Sequence, residues 1–496
     1  MKSKWIKLLA ALFAVSLVAA ACGSDTADVV EDAVDSGTSD ELTAAQEALA
    51  AAEEAKEAAE ADAAAARDEA EAAATAAADA GETNPLAGTA VTITGSERSA
   101  NEAGAIQRAL DTFAEANDMN ITFLGSADWE SEINVQVEAG LPPDISFFPQ
   151  PGKLADFARD NIVVALPDAT LGLVDANYPA ATASFGVVDG TQFAVPLKQD
   201  LKSIVWYQPA AFDAAGYAIP ETLDDFTALA AQMIEDGNIP LCVGIGSGTA
   251  TGWPFTDWVE DMMLRRHSPE MYDQWVAGEL DFASDEVSGV MQEIIDLWNT
   301  DGMVFADGGT IASTAFGEPN AEGLVNGDCF MHRQANFFAT RFPAGTAFAD
   351  GSDGAVDVFY FPEGDTGRPV LGAGLYAAAF DDRPEVWAVM DYLASADFAN
   401  TRQVAQLEIS GNELSGFLSP HLEADLSLWA PLEQSMLGIL AASETFRFDA
   451  SDLMPGDVGA GTFWTEGTAL VNGDTSVAAA AAAIDASWPE ADAEEG

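Results

Sequence analysis

Two tryptophans, Trp253 and Trp258, lie five residues apart near the middle of the chain, and an indole ring serves either as core packing or as a flat apolar face for a ligand. Trp258 belongs to an apolar stripe at positions i, i+3, i+4 and i+7, which predicts a helix whose stripe faces the core. The residues of this stripe are Phe255, Trp258, Val259 and Met262. We therefore expect Trp258 to stabilise the fold rather than to bind a ligand.

Trp253 precedes that helix and has no apolar partner at helical spacing. Gly252 permits unusual backbone angles and Pro254 suits the first turn of a helix, so Trp253 is predicted to lie in a loop just before the helix begins. Burial in that loop and exposure to a ligand are the two alternatives, and we favour a platform on which a ligand stacks. The acidic residues of the same helix are expected to point away from the apolar stripe. They are Asp257, Glu260 and Asp261.

The sequence offers little for catalysis. Gly-x-Ser-x-Gly, His-Glu-x-x-His and Gly-x-x-x-x-Gly-Lys-Ser/Thr do not occur in it, which argues against a serine hydrolase, a zinc protease and a P-loop nucleotide site. The chain has three histidines that are far apart in sequence, His267, His332 and His421. The sequence therefore gives little basis for a metal site or an activated nucleophile that depends on histidine. We expect no metal, no cofactor and no catalytic residue. The enzyme alternative is a glycoside hydrolase with paired carboxylates. The chain contains so many Asp and Glu residues that their number does not exclude such a pair.

The charge balance excludes several kinds of partner. The chain has 496 residues, enough for two or three domain-sized cores. Its 82 acidic and 19 basic residues give a formal charge of -63. Clusters of lysine and arginine that bind nucleic acid or anionic lipid are therefore not expected, and acidic substrates are disfavoured.

The first 21 residues resemble a bacterial lipoprotein signal peptide. Three lysines precede an apolar run that is too short to span a bilayer and that ends just before Cys22. Acyl chains on Cys22 would hold the mature protein on a membrane surface, and the alternative is an ordinary signal peptide with an incidental cysteine. Ala19 stands where lipoprotein signals usually carry leucine. Residues 22–87 predict an acidic linker followed by an Ala/Glu-rich helical stalk, and residues 491–496 predict an acidic tail.

Short strands alternate with helices at the start of the folded part, with strands around residues 91–94, 120–124 and 145–148. This order predicts an α/β fold with a parallel sheet and right-handed crossovers. Ligands of open parallel sheets gather at the carboxyl ends of the strands. We therefore expect a binding site at residues 95–98 and 148–150.

An ordered set of motifs runs through residues 89–488. They are Gly-Ser-Glu-Arg at 95–98, Ala-Gly-Leu-Pro-Pro-Asp-Ile at 139–145, Phe-Ala-Val-Pro at 193–196, Ser-Ile-Val-Trp-Tyr at 203–207, and the stretches 212–226, 327–334, 451–457 and 484–488. In this order they resemble the family 1 extracellular solute-binding proteins of carbohydrate ABC transporters, of which maltose-binding protein is the familiar member. Thr-Gly-Trp-Pro at 251–254, with Asp257 and Trp258, is similar to the subgroup of α-glucoside-binding proteins.

The resemblance implies a two-lobed, hinged periplasmic-binding-protein fold of type II over residues 88–490. Lobe one is expected at about 88–196 and 376–430, and lobe two at about 197–375 and 431–490. The segments that cross between the lobes are expected at 195–203, 371–378 and 426–435. Closure about such a hinge removes water from a ligand held between the lobes.

The resemblance also implies which residues face the cleft. Carboxylates, amides and basic groups would meet sugar hydroxyls, and aromatic rings would stack on the apolar faces of sugar rings. For each residue the alternative is solvated surface or core packing. The residues carried over are Glu97, Arg98, Glu130, Phe148, Gln150, Asp200, Lys202, Trp253, Gln334, Phe337 and Trp464. Trp206, which lies in an apolar strand, is expected in the core.

Cys242 and Cys329 remain once Cys22 is assigned to acylation. An exported location permits a disulfide between them, and two buried thiols are the alternative. We favour the disulfide.

The resemblance implies a lipid-anchored monomer outside the cytoplasm that captures a sugar, an α-glucoside or a short oligosaccharide, and delivers it to the permease of an ABC transporter. Three alternatives stay open at this point. They are a surface-anchored glycoside hydrolase, a binding protein for another solute such as a polyamine or a peptide, and a surface adhesion module.

Overall fold

The computed structural model describes residues 84–307 and 309–489. The predicted signal peptide, the acylated Cys22, almost all of the linker and stalk, and the acidic tail lie outside the described residues. The account below therefore concerns the part of the chain that was expected to bind a solute.

The first β-sheet holds the three strands predicted at the start of the folded part. The strands of this sheet are β1 (Ala90–Gly95), β2 (Asn120–Gly125), β3 (Ile145–Phe148), β6 (Ala194–Leu201), β12 (Val370–Ala379) and β13 (Phe446–Phe448). β1 pairs in parallel with both β2 and β3, as the alternation of strands and helices predicted. β12 is antiparallel to β3 and β6 and parallel to β13.

The second β-sheet has the strand order β11-β7-β10-β8-β9. Its strands are β7 (Ile204–Tyr207), β8 (Leu241–Cys242), β9 (Val304–Phe305), β10 (Met331–Arg333) and β11 (Asp357–Tyr360), and a separate hairpin consists of β4 (Val187–Val188) and β5 (Thr191–Gln192). The disulfide expected between Cys242 and Cys329 is present, with 5.4 Å between the two Cα atoms. It joins the end of β8 to the residues just before β10.

Helices cover both sheets and begin at residues suited to that position. Ser99 accepts a hydrogen bond from the backbone N–H of Glu102, and Thr222 and Asp225 form a reciprocal capping box. The helices that precede the second crossing to the first sheet are α1 (Ala100–Asn117), α2 (Trp129–Glu138), α3 (Pro151–Arg159), α4 (Asp168–Asn177), α5 (Ala180–Ala183), α6 (Pro209–Ala215), α7 (Leu223–Glu235), α8 (Trp253–Arg266), α9 (Pro269–Val276), α10 (Asp285–Trp298) and α11 (Glu318–Asn326). Those that follow are α12 (Pro384–Leu393), α13 (Ala396–Ser410), α14 (Pro431–Ala442), α15 (Ala450–Leu453), α16 (Trp464–Asn472) and α17 (Val477–Asp485).

Shorter turns complete the described chain. They are the 3₁₀ turns Ser184–Gly186, Asn336–Arg341 and Leu426–Leu428 and the π-helical segment Asp457–Phe463. The π-helical segment runs directly into α16, so residues 459–463 are helical. None of the helices in the described ranges is both long enough and apolar enough to cross a membrane.

The chain passes between the two sheets at several points. It leaves the first sheet between β6 and β7 and returns between β11 and β12, close to the segments expected at 195–203 and 371–378. Trp429, in the segment expected at 426–435, packs in the same apolar cluster as Trp206 of the second sheet. The chain then returns to the first sheet in β13, a passage that the sequence did not indicate. Finally, α15, α16 and α17 contribute to the core of the second sheet.

Separate cores support the two sheets. Ile106 and Leu110 of α1 pack on Val91 and Ile93 of β1 in one of them. Trp258 packs with the second-sheet strands in another and is 4% exposed, and Trp206 is fully buried in a third. The prediction that both of these tryptophans belong to the core is confirmed.

Candidate functional site

A cleft lies between residues that follow strands of the first sheet and residues that follow strands of the second. Its volume is about 140 Å³. Glu97 and Gln150 come from the carboxyl ends of β1 and β3, where a ligand site was expected, and Ser247 and Phe337 come from loops after β8 and β10. Both sheets therefore contribute walls to one site.

The structure brings nine of the eleven predicted residues together in the lining of this cleft. They are Glu97, Arg98, Glu130, Gln150, Asp200, Lys202, Trp253, Phe337 and Trp464.

Phe148 and Gln334 do not line the cleft. Phe148 is fully buried and meets Trp129 edge to face at 5.3 Å between ring centroids, because side chains alternate along β3 and its ring falls on the core side. Gln334 turns its side chain back on its own loop, where its Oε1 accepts from the backbone N–H of Ala335 at 2.8 Å. Its backbone oxygen accepts from Trp206 Nε1. Both residues therefore support the walls from behind.

A network of paired charges forms the first-sheet wall. Arg402 Nη2 donates to Glu97 Oε1 at 2.6 Å, and Lys198 Nζ lies 3.4 Å from Glu97 Oε1 and from Asp200 Oδ2. Burial lowers the pKa of Lys198, but Asp200 and Glu97 outweigh it, so the pKa stays above the ordinary value. Burial raises the pKa of Asp200. Each cation here is held by carboxylates of the protein itself.

Aromatic rings form the opposite wall. Trp253 meets Phe316 at 4.8 Å and Phe337 at 6.0 Å between ring centroids, both edge to face. Lys202 Nζ lies 5.6 Å from the centroid of the Trp253 ring, and Lys198 Nζ lies 5.0 Å from that of Phe337. The rings are therefore fixed by one another and by cation–π contacts before any ligand arrives.

Gly252 decides where Trp253 lies. Its φ of 119° is a conformation that residues with a side chain rarely adopt, and a Cβ at this position would overlap the backbone oxygen of Trp464. The start of α8 can therefore pack directly on the start of α16, which places Trp253 and Trp464 in the same cleft. Trp253 is itself the first residue of α8, so the helix begins one residue earlier than the sequence indicated.

The acidic residues of α8, which were expected to point away from the apolar stripe, are buried. Asp257, Glu260 and Asp261 each have no exposed surface. Arg333 Nη2 donates to Asp261 Oδ2 at 2.8 Å, and Lys202 Nζ donates to Asp257 Oδ1 at 2.7 Å. The helix is enclosed on all sides, and buried cations rather than water face its polar side.

Lys202 lies in a buried ionic cluster where the chain passes between the sheets. Its ammonium contacts Asp257 of α8 and Asp449, which follows β13. Burial raises the pKa of Asp257 to about 7 and raises those of Glu260 and Asp452 well above their ordinary values, whereas Lys202 holds the pKa of Asp449 below its ordinary value. Oxygens of Asp257, Glu260 and Asp449 come within 4.8 Å of one another, as in a cation site, and the cation that Asp257 and Asp449 bind is this ammonium.

Three hydrogen-bond acceptors in the lining have no partner among the residues that the structure describes. They are Glu97 Oε2, Glu130 Oε2 and Gln150 Oε1. Burial raises the pKa of Glu130. A buried acceptor without a partner is costly, so these atoms favour a ligand that donates hydrogen bonds. A hydroxyl group both donates and accepts and can serve them all.

The sequence did not single out several residues of the cleft. Asp449 and Asp452 lie on either side of the start of the motif at 451–457, so this motif is the sequence signal that points to them. Phe316 and Arg341 carry no signal in sequence, because each comes from a loop whose position depends on the tertiary fold. The unpredicted polar and aromatic residues of the lining include Ser96, Glu102, Lys198, Ser247, Phe316, Arg341, Asp449 and Asp452.

Comparisons with known proteins agree with this fold. The family described as "Bacterial extracellular solute-binding protein" matches residues 99–399. The chain is 37% identical to "Alpha-glucosides-binding periplasmic protein AglE" of Rhizobium meliloti over 81% of this chain and 88% of that protein. It is 38% identical to "Osmoprotective compounds-binding protein GgtB" of a Synechocystis strain over 77% of this chain and 89% of that protein.

Solved structures show the same two-lobed architecture. "Chitin oligosaccharide binding protein" gives a TM-score of 0.66 at 17% identity and covers 80% of this chain and 98% of its own. "Maltose bound T. maritima MalE3" gives 0.62 at 17% identity, with the same coverage.

The chain belongs to the bacterial extracellular solute-binding proteins, the family that the ordered motifs resembled. It is a two-lobed solute-binding protein of an ABC transporter, and its homologues include sugar-binding proteins. These relatives are binding proteins rather than enzymes.

Proposed function

We propose that this protein binds a neutral sugar, an α-glucoside or a short oligosaccharide, in the cleft and delivers it to its permease as a monomer. The observation that carries the proposal is that an aromatic wall of the cleft faces a wall of hydrogen-bond acceptors without partners among the described residues. Trp253, Phe316 and Phe337 offer apolar ring surface on one side, and Glu97, Glu130 and Gln150 offer unpartnered acceptors on the other. Sugars present apolar ring faces and a rim of hydroxyl donors, so they suit both walls.

The charges of the cleft favour a neutral ligand. Lys198, Lys202 and Arg341 each have carboxylate partners inside the protein. Arg98 donates to Ser247 Oγ and lies near the Phe316 ring, so each of these cations already has a partner. Burial raises the pKa of Glu130, Asp200 and Asp452, so the site disfavours charge that is not compensated by a partner. A ligand with a net charge would have to break these pairs without compensation.

Relatives support the sugar class. One relative is named for binding α-glucosides and another for binding osmoprotective compounds. The first of these names is the one that specifies a sugar class, and it agrees with the aromatic and hydroxyl-accepting walls of the cleft.

A thermal-shift screen of the full chain tests the proposal. Glucose, maltose, trehalose and maltotetraose are compared with spermidine and with a short neutral peptide. We expect at least one α-glucoside to raise the Tm in a concentration-dependent way, because a ligand that binds only the folded state stabilises it. Stabilisation by spermidine or the peptide, with no effect of any sugar, would contradict the proposal.

We also propose that acyl chains on Cys22 hold the protein on the outer face of a cell membrane. Replacing Cys22→Ser in the producing cell should move the protein from the membrane fraction to the soluble fraction, because the lipid-bearing sulfur is then lost. A variant that stays in the membrane fraction would show that another segment anchors it. Cys242→Ser is the matched control, since Cys242 is bonded to Cys329.

A further inference from the structure

We propose that Glu102 and Arg341 form an ion pair across the cleft that selects short ligands, because a ligand that extends beyond the pair has to separate it. The inference rests on the proposed function and adds to it the length of the sugar. Both side chains line the cleft.

The two residues come from opposite sides of the site. Glu102 lies in the first turn of α1, which packs on the first sheet, and Arg341 ends the 3₁₀ turn after β10 of the second sheet. Arg341 Nη2 donates to Glu102 Oε2 at 2.9 Å, and the side chains are only 10% and 7% exposed. Ser99 Oγ donates to the same carboxylate oxygen at 2.7 Å and fixes its orientation.

Neighbouring contacts extend this closure along one edge of the cleft. Arg98 Nη2 donates to Ser247 Oγ at 3.1 Å, again from the first-sheet side to the second-sheet side. The guanidinium carbons of Arg98 and Arg341 lie 5.9 and 5.3 Å from the centroid of the Phe316 ring. These side chains form a continuous wall.

The space left inside is small. The cleft volume of about 140 Å³ is close to the roughly 150 Å³ of an engineered cavity that holds benzene. It therefore encloses about one six-membered ring. Linked rings that extend along this edge of the cleft meet the wall, and Glu102 and Arg341 must then separate.

Separating the pair carries a cost. Burial alone would raise the pKa of Glu102, but Arg341 and Lys198 lower it to about 2, so the carboxylate is charged at neutral pH. A buried charge that loses its partner is strongly destabilised. Only a long ligand has to separate the pair, so only the binding free energy of a long ligand includes this cost.

Titration calorimetry on the full chain tests the proposal with methyl α-glucoside and maltotetraose as probes. The variants are Glu102→Gln, which removes the charge and keeps the side-chain shape, and Arg341→Gln, which removes the charge with a shorter side chain. Glu318→Gln is the control, because Glu318 lies 3.5 Å from Arg341 on the second-sheet side and is 62% exposed. The Tm of each variant checks that it folds.

We expect the wild type to bind methyl α-glucoside more tightly than maltotetraose. In Glu102→Gln and Arg341→Gln the affinity for maltotetraose should rise by about tenfold, because no ion pair has to be separated, while the affinity for methyl α-glucoside stays within about twofold, so the discrimination narrows. Glu318→Gln should keep the wild-type ratio, because it removes no contact across the cleft.

Two results would overturn the inference and leave the proposed function standing. One is equal affinity of the wild type for both sugars, and the other is an equal change in affinity for both sugars in the two variants. If the wild type binds neither sugar and no other α-glucoside raises its Tm, the proposed function is wrong and the inference falls with it.

Discussion

Trp253 and Trp258 lie on the same helix, five residues apart, and have different surroundings. Trp258 meets Trp298 and Phe361 edge to face at 5.8 and 5.4 Å between ring centroids and is almost fully buried. Trp253 is half-buried in the lining of the cleft. The helix therefore runs from the ligand site into the core, and one residue type serves binding at its first turn and stability beyond it.

The segment between the two rings separates these roles. Asp257 lies beside Trp258 in sequence and binds Lys202, which in turn contacts the face of Trp253. A change at the binding end should therefore affect affinity, and a change at the core end should affect the free energy of unfolding.

Trp258→Ala should have the largest effect of the changes considered. Truncation of a large buried ring leaves a cavity and removes apolar contacts, so we expect the free energy of unfolding to fall by about 3–5 kcal/mol. Urea denaturation followed by circular dichroism measures it. A loss below about 1 kcal/mol would show that Trp258 is not part of the core packing.

Trp253→Ala should weaken α-glucoside binding by about tenfold or more, because the ring surface on which the sugar stacks is removed. Its free energy of unfolding should change by less than about 2 kcal/mol, since part of the ring is exposed already. Calorimetric titration and urea denaturation provide the two readouts. Unchanged sugar affinity would rule out Trp253 as the stacking platform.

Substitutions of the phenylalanines beside the two tryptophans test the same difference between stability and binding. Phe361→Leu, beside Trp258, should lower the free energy of unfolding by about 1 kcal/mol and leave affinity unchanged. Phe337→Leu, beside Trp253, should lower affinity by about threefold with a smaller effect on stability, because its ring is a partly exposed wall of the cleft. The reverse pattern in the same two assays would contradict the division of roles.

A change in how stability depends on pH tests the polar side of the same helix. The pKa of Asp257 is raised to about 7 in the folded protein by burial, against about 3.9 when unfolded. Between these values only the folded state holds the proton, so raising the pH favours unfolding. Asp257→Asn removes this contribution, which is at most about 1.4 kcal/mol per pH unit.

Urea denaturation from pH 4.5 to 8 checks this prediction. The difference in stability between wild type and Asp257→Asn should decline as the pH rises toward 7 and become flat above it. A difference that grows over the same range would mean that the pKa of Asp257 is lowered in the folded state.

Much of the fold could be predicted because its signals are local. Alternating strands and helices predicted the parallel β1, β2 and β3, and the apolar stripe predicted the position of Trp258. Strand ends predicted where the cleft lies. These patterns depend on a few neighbouring residues, and tertiary packing did not override them.

The remainder depends on contacts that are distant in sequence. Phe148 ends a strand at the expected edge, but the two-residue alternation of β3 turns its ring into the core. Asp257 and Asp261 are typical of a solvated helix face until Lys202 and Arg333 are brought opposite them. In a chain with 19 basic residues and 82 acidic ones, the sequence cannot show which few cations will be buried.

The most direct test of the account is calorimetric titration of the full chain with an α-glucoside, followed by chromatography of the recovered sugar. We predict one binding site per chain, binding that Trp253→Ala weakens and Phe361→Leu does not, and complete recovery of the intact sugar. Absence of binding for every α-glucoside, or cleavage of the sugar, would contradict the assignment as a sugar-binding protein that performs no chemistry.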